Sequence, residues 1–436
     1  MAFVTLLSAT ALSALLYLLG LTVWRLFLHP LAGVPGPKIA ALTAWINPWE
    51  VHINDPAFFD TFYSNSKLDK DGWFYRAFGD NGAAVGTPSW QQHKARRGAM
   101  AKFFSSTNVA KLEPKVQARV RTMLGRVQEH QRHGRVIDIS NAYRCYSTDV
   151  ISDYAAPETR DFLSTPDFSA SFNQGLLKNA QMVVDRKGFP RGKGEPTVLD
   201  AIYQSSLLGP EEKTVSRILA ETQAILGAGT ETTGNTLSVF TYHVLSQPDV
   251  LAKLKAELQD AADKAGIRTS DDLMDCKTLE RLPYLQACIK EALRLATGVS
   301  SRLPRVNRLN PTTYKTPAGQ SYTFPSGTVI SMSILDLHYN AKIFPRPDAF
   351  DPSRWLGADA ERSREMERAY APFGRGSRQC VGLELAKEEI TLMTGNLFSH
   401  FSLELFETTN RDVSIAHDYF APFAPKDSKG VRVIAR

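Results

Sequence analysis

The sequence predicts a mainly α-helical protein with small β-sheets and an apolar N-terminal helix. Long stretches of the body repeat their apolar residues at the spacing of one helix face. Residues 312–334 instead alternate polar and apolar side chains and are interrupted by glycine and proline, a pattern typical of short strands and turns. The first 24 residues carry no charged side chain. Together these observations place a large helical body behind a hydrophobic segment.

The N-terminal segment is long enough to cross a bilayer, since a spanning helix needs about 20 predominantly apolar residues. A cleaved signal peptide would start with basic residues and have a shorter apolar run, whereas the first positive charge here is Arg25. Because positive charge marks the cytosolic side of a span, the body is expected in the cytosol. We predict a transmembrane anchor over 1–24, a proline-rich hinge over 25–45 and one large domain over 46–436. A buried core helix is the alternative interpretation of the first segment.

The charge and the cysteines exclude several classes of protein. The net charge is +6, with 51 basic and 45 acidic side chains dispersed along the chain. This balance argues against a nucleic-acid partner and suits an anionic membrane surface or an acidic protein. The cysteines lie far apart and form no CxxC pair, so we predict neither a structural zinc site nor a disulfide framework. They are Cys145, Cys276, Cys288 and Cys380.

The helices of the body can be placed by their start and stop signals. The longest should run from about 215 to 246, because Pro248 cannot continue it. An amphipathic surface helix should follow and end at Gly266, a residue type that commonly caps helices. Another helix should occupy about 283–298, and the last should follow Cys380. The closing stretch GVRVIAR should form a strand.

The segment APFGRGSRQCVG places Cys380 among glycines and arginines, just before the last predicted helix. A helix N-terminus offers free N–H groups and partial positive charge, which favour a thiolate over a thiol. Gly376 and Gly382 would let the backbone come close to a flat macrocycle, and Arg378 could pair with an anionic edge of the same group. A buried apolar cysteine is the simpler alternative.

This segment resembles the haem-binding loop of the cytochrome P450 family, whose pattern is FxxGxRxCxG. The fixed positions are filled here by Phe373, Gly376, Arg378, Cys380 and Gly382. The resemblance implies the P450 fold, preceded by a transmembrane helix. It implies heme b, iron protoporphyrin IX, as the cofactor, with the Cys380 thiolate as its axial ligand. It also implies that the other four residues of the pattern contact the cofactor.

Inside the longest predicted helix, the stretch AGTETT covers 228–233. Gly227 and Gly229 each lower helix stability by about 1 kcal/mol relative to alanine, so they should serve either close helix packing or a bend over a ligand. The resemblance implies that this stretch crosses the distal face of the haem. It also implies that Glu231 and Thr232 are catalytic and relay protons during oxygen activation.

Two further groups of residues fit the same resemblance. Glu291 and Arg294 of KEALRL lie at i and i+3, which alone is a weak signal because such pairs are common on surfaces. The resemblance implies that they join Arg354 of FDPSRW in a structural cluster around the cysteine loop. It also implies contacts to the haem propionates from His93, Arg97, Arg305 and Arg378. Each of these four could instead be a surface charge.

The stretches HPLAGVPGPK, GVSSRLPRV and IFPRPDAFDPSRWL resemble the filamentous-fungal branch of the family, including trichodiene-oxygenase-like enzymes of secondary metabolism. The resemblance covers nearly the whole chain. It implies a monooxygenase that hydroxylates or epoxidises a small apolar metabolite, a terpenoid or polyketide, with O2. Electrons would come from NADPH-cytochrome P450 reductase. The enzyme would be a single-pass protein of the endoplasmic reticulum membrane, with its haem-thiolate domain in the cytosol.

Two junctions, near 45–46 and near 175–183, are shorter than the family pattern. The first lacks a helix and a sheet strand, and the second lacks two helices that roof the substrate pocket. A mistaken gene model or splice form would explain this, and so would a truncated protein with weak or no activity. A haem-thiolate isomerase or dehydratase, which needs no reductase, is a further alternative. Glu231 and Thr232 argue against it, because that class often lacks the acid–alcohol pair.

Overall fold

The long helices predicted from the sequence form the frame of the molecule. The computed structural model describes residues 2–35, 49–65, 67–76, 82–156, 161–165, 183–185, 197–267, 269 and 272–436. Its helices are α1 Ala2–Val23, α2 Pro56–Ser64, α3 Gly72–Tyr75, α4 Trp90–Ala101, α5 Ser106–Val109, α6 Glu113–Arg132, α7 Ile139–Ala155, α8 Val198–Gln204, α9 Val215–Leu245, α10 Pro248–Ala265, α11 Cys276–Glu280, α12 Pro283–Ala296, α13 Ile334–His338, α14 Ala360–Ala369 and α15 Leu383–His400. Helices therefore dominate the described chain, as predicted.

The strands of the described residues are short and form four small sheets. They are β1 Glu50–His52, β2 Asp69–Lys70, β3 Ile137–Asp138, β4 Arg305–Val306, β5 Thr312–Lys315, β6 Ser321–Phe324, β7 Val329–Ser331, β8 Leu403–Leu405, β9 His417–Tyr419, β10 Ala421–Phe423 and β11 Arg432–Ala435. The largest sheet has the order β1-β7-β4-β2, with β1 parallel to β7 and the other pairs antiparallel. The predicted strands in 312–334 and at the C-terminus are thus confirmed.

The N-terminal helix does not pack into the body. A π-helical turn, Trp24–Leu28, continues α1. The segment Ala9–Leu28 is long and apolar enough to cross a membrane, and none of its residues is buried in the protein. A buried core helix is therefore the wrong interpretation of this segment. Length and composition make it a candidate anchor, while the division at 24 and 45 stays a prediction. The short junctions near 45–46 and 175–183 lie outside the described residues.

Helix α9 is the central element and follows the predicted limits closely. It begins after Thr214, whose side-chain oxygen accepts a hydrogen bond from the backbone N–H of Arg217. From about Gly229 to Thr241 it packs against α7. A Cβ atom at Gly229 would lie 2.9 Å from the Ile151 side chain, so the glycine permits this close approach. Of Gly227 and Gly229, the predicted packing role therefore applies to Gly229.

The two helices after α9 show how local capping sets their ends. Helix α10 ends at Gly266 in the left-handed conformation, φ 71°, as predicted. Helix α12 ends at Ala296, two residues before the predicted limit. The cap is Thr297, which also has a positive φ of 38°. Its hydroxyl donates to the Arg294 carbonyl oxygen at 2.8 Å. The last carbonyl oxygens of a helix have no backbone N–H partner within it, and this bond supplies one of them with a donor.

The cysteine segment 373–382 touches both apolar cores of the molecule. The larger core lies among α6, α7, α9, α10, α12 and α15, and Phe373 and Val381 pack against it. The smaller core lies under the β1-β7 sheet and includes Tyr63 of α2. A Cβ atom at Gly376 would lie 2.2 Å from the Tyr63 carbonyl oxygen. The segment is thus held between the two halves of the protein.

Candidate cofactor and active site

The turn before Cys380 depends on glycine. Gly376 has φ 68° and abuts Tyr63, so a side chain would meet both backbone strain and a clash. The Cys380 N–H then donates to the Phe373 carbonyl oxygen at 2.9 Å, which closes the loop. Gly382, in contrast, has no neighbouring atom within 4 Å of its Cβ position. Of the two glycines predicted to contact a cofactor, Gly376 serves the turn and Gly382 leaves open space.

Without a metal ion, the surroundings of Cys380 favour the thiol over the thiolate that the helix N-terminus is predicted to stabilise. Burial raises the pKa of the Cys380 thiol, although the Gly382 N–H and the positive charge of Arg97 act in the opposite direction. Helix α15 begins only at Leu383, so its dipole acts from a distance. Cys380 is nevertheless exposed to solvent. A side chain that solvent reaches but that protein atoms largely surround lies in a recess. A metal ion there would deprotonate the thiol outright.

The other cysteines offer no comparable group. Cys145, Cys276 and Cys288 are all buried. Burial raises the pKa of the Cys276 and Cys288 thiols well above the ordinary value. Buried thiols of this kind are inert packing groups.

Five basic side chains meet beside the cysteine loop. They are Lys70, His93, Arg97, Arg305 and Arg378. After burial, the charges of their neighbours in this group lower the pKa values of Lys70, His93 and Arg378. Their hydrogen bonds go to uncharged oxygens: Arg378 to the Thr87 and Pro88 carbonyls, Arg97 to Gln379, Lys70 to Val85, and Arg305 to Pro304 and the Tyr75 hydroxyl. Within the described part of the chain, no ion pair joins any of the five to a carboxylate.

This basic cluster fits an anionic ligand. Burying cations without opposite charge is costly, so the arrangement is most stable when an anion completes it. Among the described residues, the buried Nε of Arg378 has no hydrogen-bond partner, so one donor of this guanidinium is left for an anion. Burial, and next the Arg305 charge, lower the pKa of Arg378 to about 10, still above neutrality. Two carboxylate groups, as in the propionates of heme b, match this donor set.

The structure places the four predicted propionate residues together. His93 and Arg97 lie one turn apart on α4, and Arg305 lies in β4. His93 is buried, and burial followed by the Arg378 charge lowers its pKa to about 2. The imidazole is therefore neutral and offers an N–H donor to an anion, while the arginines offer charge.

Lys70 belongs to the basic cluster but was missed from the sequence. It is 6% exposed, its ammonium lies 4.1 Å from the Tyr75 ring centroid, and β-sheet pairing sets it opposite Arg305. Burial, and then the charges of Arg305 and Arg378, lower its pKa well below the ordinary value. The pairing of two-residue strands 235 positions apart (Lys70 with Arg305) has no local sequence signal.

The two predicted proton-relay residues point in different directions. The Glu231 carboxylate forms a two-pronged ion pair with Arg144 of α7, at 2.9 and 2.7 Å. The Thr232 hydroxyl donates to the Ala228 carbonyl oxygen at 2.8 Å, and its methyl group lies 3.8 Å from the Cβ position of Gly298. Neighbouring residues on a helix are about 100° apart, so one faces α7 and the other the segment after α12.

Glu291, Arg294 and Arg354 meet in one buried cluster. Arg294 donates to both carboxylate oxygens of Glu291, at 3.0 and 2.8 Å, and Arg354 donates to one at 2.9 Å. The Trp355 indole and the Asp351 N–H complete the carboxylate's partners. Glu291 and Arg294 have no exposed surface. This arrangement is a structural centre because substrate-sized molecules cannot reach it.

His338 connects this cluster to the cysteine segment and was also missed from the sequence. Burial lowers the pKa of His338 to about 3, so the ring is neutral. One ring nitrogen lies 2.9 Å from the Arg294 carbonyl oxygen, and the other accepts the Ala371 N–H at 3.1 Å. The first nitrogen must therefore carry the proton. The histidine thus ties α12 to the chain that leads into Cys380.

Comparison with known proteins gives the same family throughout. A cytochrome P450 family model matches residues 176–416. Cytochrome P450 monooxygenase sdnE of Sordaria araneosa is 31% identical, with 98% of each chain covered. N-acetyltryptophan 6-hydroxylase ivoC of Emericella nidulans is 30% identical over 96% of this chain and 95% of its own. Cytochrome P450 monooxygenase TRI4 of Fusarium sporotrichioides is 30% identical, with 93% and 90% covered.

The alignment and the fold add two points. The match with the Sordaria protein runs over 515 positions, more than the 436 residues of this chain, so parts of that relative have no counterpart here. The crystal structure of a cytochrome P450, CYP102L1, superimposes with a TM-score of 0.68 at 19% identity, covering 88% of this chain and 92% of its own. The chain therefore belongs to the cytochrome P450 family, as a monooxygenase of the fungal secondary-metabolism type that uses heme b with cysteine-thiolate ligation.

Proposed function

We propose that this chain is a membrane-anchored monooxygenase that hydroxylates or epoxidises an apolar terpenoid or polyketide with O2 and electrons from NADPH-cytochrome P450 reductase. The observation that supports it most is the buried basic cluster beside Cys380, whose cations pair with no carboxylate of the described residues. Such a site suits a cofactor that carries two acid groups on one edge. The members of this family normally work with a redox partner and apolar substrates.

Cys380 is the proposed axial ligand, because it is the exposed thiol among the four cysteines. Arg378, Arg305 and Arg97 would pair with the propionates, His93 would donate an N–H, and Lys70 would add a further donor. Phe373 fixes the loop through its carbonyl oxygen, and Gly382 leaves the backbone open to the ring. When bound, the haem supplies the activation of dioxygen and the transfer of one oxygen atom.

Thr232 and Glu231 would divide the handling of protons. The Thr232 hydroxyl donates to the Ala228 carbonyl oxygen, and the methyl group of the same side chain faces Gly298. This hydroxyl would pass a proton on that side of α9. Glu231 is partly exposed and fixed by Arg144, which places its carboxylate on a path from solvent. A water molecule would have to carry the proton between the two residues, because they face different sides of the helix.

The anchor would place the enzyme at the endoplasmic reticulum with its domain in the cytosol. Ala9–Leu28 is long and apolar enough for one span, and the first positive charge, Arg25, lies near its C-terminal end. The positive-inside bias then orients the domain towards the cytosol. A membrane-bound reductase could supply electrons only if the haem domain lies on this cytosolic side.

A second substrate class has its own support. One of the relatives at 30% identity is named as an N-acetyltryptophan 6-hydroxylase. An aromatic amino-acid derivative is therefore the second candidate, after a terpenoid or polyketide.

Reconstitution with the reductase tests the proposal. The full chain would be incubated with NADPH, reductase, oxygen-18 gas and a substrate panel of sesquiterpenes, aromatic polyketides and N-acetyltryptophan. We expect a product with one heavy oxygen atom, formed only when NADPH, reductase and O2 are all present. A product formed without reductase or O2 would identify an isomerase or dehydratase. A chain that binds no haem would identify an inactive truncated protein.

Replacing Lys70 by methionine should weaken haem retention. The methionine fills similar space but removes the charged donor, so transfer of haem from the chain to apomyoglobin should accelerate about tenfold, as expected for loss of one charged hydrogen bond. The matched control is Lys67→Met, because Lys67 is exposed three residues away. With haem dimethyl ester, which has no carboxylates, the two variants should release the cofactor at equal rates. Equal rates with unmodified haem would contradict the role of Lys70.

A further inference from the structure

The hairpin of β9 and β10 turns on a single strained residue. Tyr419 pairs directly with Ala421, so Phe420 is the one residue between the two strands. Phe420 has φ 77°, a left-handed conformation that is rare and costly for a bulky aromatic residue. Contacts around the tip must therefore hold this conformation.

Asp418 supplies those contacts. Its carboxylate accepts hydrogen bonds from the Ser301 hydroxyl at 2.6 and 2.7 Å, from the Ser300 hydroxyl at 2.9 Å and from the Phe420 N–H at 3.0 Å. The Phe420 carbonyl oxygen in turn accepts the Ser300 N–H at 3.0 Å. One side chain thus fixes the tip of the hairpin and attaches it to the segment 298–302.

The attached segment joins the two parts of the candidate site. At one end, Gly298 faces the methyl group of Thr232. At the other end, the chain enters β4 and places Arg305 in the basic cluster. The Phe420 ring lies edge-on to Tyr75 at 6.5 Å, and the Tyr75 hydroxyl accepts a hydrogen bond from Arg305. A movement of the hairpin tip would therefore displace residues beside Thr232 and beside Arg305.

We propose that Asp418 is a positioning residue for substrate: it holds the wall formed by 298–302 and Phe420 at a fixed distance from Thr232. The inference rests on the proposed function, since this wall lies beside the proposed proton donor. Asp418 acts through Ser300, Ser301 and the Phe420 N–H. Val299 and Phe420 are partly buried apolar residues of this wall and pack against the smaller core. An apolar ligand beside Thr232 would therefore be oriented by the shape of the wall.

Two nitrogen ligands of different size test the inference on the haem-loaded full chain. Imidazole and 4-phenylimidazole bind haem iron through the same nitrogen, but the phenyl group needs a defined wall beside it. Soret titrations would give both Kd values. In Asp418→Ala, the ratio of the 4-phenylimidazole Kd to the imidazole Kd should rise about tenfold, as expected for loss of several hydrogen bonds to a charged group. The imidazole Kd and the haem content should stay within about twofold of the wild type.

Three variants make the result specific. Asp418→Asn keeps an acceptor oxygen and should restore most of the wild-type ratio. Ser301→Ala removes an exposed donor, tests the inference even if Asp418→Ala loads haem poorly, and should raise the ratio about threefold. Asp427→Ala removes an exposed carboxylate that pairs with Arg411, and it should change nothing. An unchanged or lowered ratio in both Asp418→Ala and Ser301→Ala would overturn the role of Asp418. A wild-type chain that forms no thiolate-ligated haem would overturn the proposed function together with it.

Discussion

Replacing Cys380 by serine is expected to abolish the red-shifted Soret band that a thiolate-ligated haem gives when it is reduced and exposed to carbon monoxide. The loss should be essentially complete, because a serine hydroxyl stays protonated near neutral pH and is a poor iron ligand. Cys380 is the exposed thiol beside the basic cluster, so no neighbouring cysteine can replace it. The difference spectrum of the purified full chain measures the effect directly.

A buried cysteine provides the matched control for this experiment. Cys145→Ala removes a thiol that is 4% exposed in the larger core, so the band should remain at the wild-type position. Haem content, measured as the pyridine complex, would separate loss of ligation from loss of binding. A Cys380→Ser protein that retained the band would refute Cys380 as the ligand.

The second large effect is expected from Glu291→Gln. This change neutralises the carboxylate that accepts hydrogen bonds from Arg294 and Arg354, and it leaves both guanidinium groups without opposite charge in a buried site. Removing one partner of a buried ion pair typically lowers the free energy of unfolding by about 3–5 kcal/mol. We expect a loss of that size, measured from the midpoint of urea unfolding and accompanied by loss of bound haem.

The same helix carries a control for the Glu291 experiment. Lys290 directly precedes Glu291 in α12, and it forms an exposed ion pair with Glu367 of α14. Such surface pairs contribute about 0–1 kcal/mol, so Glu367→Gln should unfold close to the wild-type midpoint. Arg354→Lys keeps the charge but loses the planar fork, and its midpoint should lie between the two. Equal midpoints for Glu291→Gln and Glu367→Gln would show that the buried cluster does not stabilise the fold.

Much of the fold could be predicted because its signals are local. The limits of α9 and the Gly266 cap follow from apolar spacing, proline and glycine, and the structure confirms them. The end of α12 was misplaced by two residues, because the cap is Thr297. A threonine in the left-handed conformation needs support from its own hydroxyl and from His338, and that support comes from a distant part of the chain.

The site shows the same limit more clearly. A fixed sequence pattern located Cys380, but the sign of its pKa shift depends on how much protein surrounds it, which the pattern does not contain. Lys70 reaches the basic cluster only through the pairing of β2 with β4. The different directions of Glu231 and Thr232 follow from helix geometry, but the partner that holds Glu231, Arg144, lies on another helix. The partners across the fold that were predicted, such as Arg354 for Glu291, followed from the family resemblance and not from local sequence signals.

The basic cluster has a consequence for the life of the protein in the cell. Newly made chains must hold several like charges together until the prosthetic group arrives, and this repulsion lowers the stability of the empty form. A ligand that binds only the folded state shifts the folding equilibrium towards it. We therefore expect proteases to remove the empty form more often, so that the amount of protein that accumulates depends on the supply of porphyrin and iron.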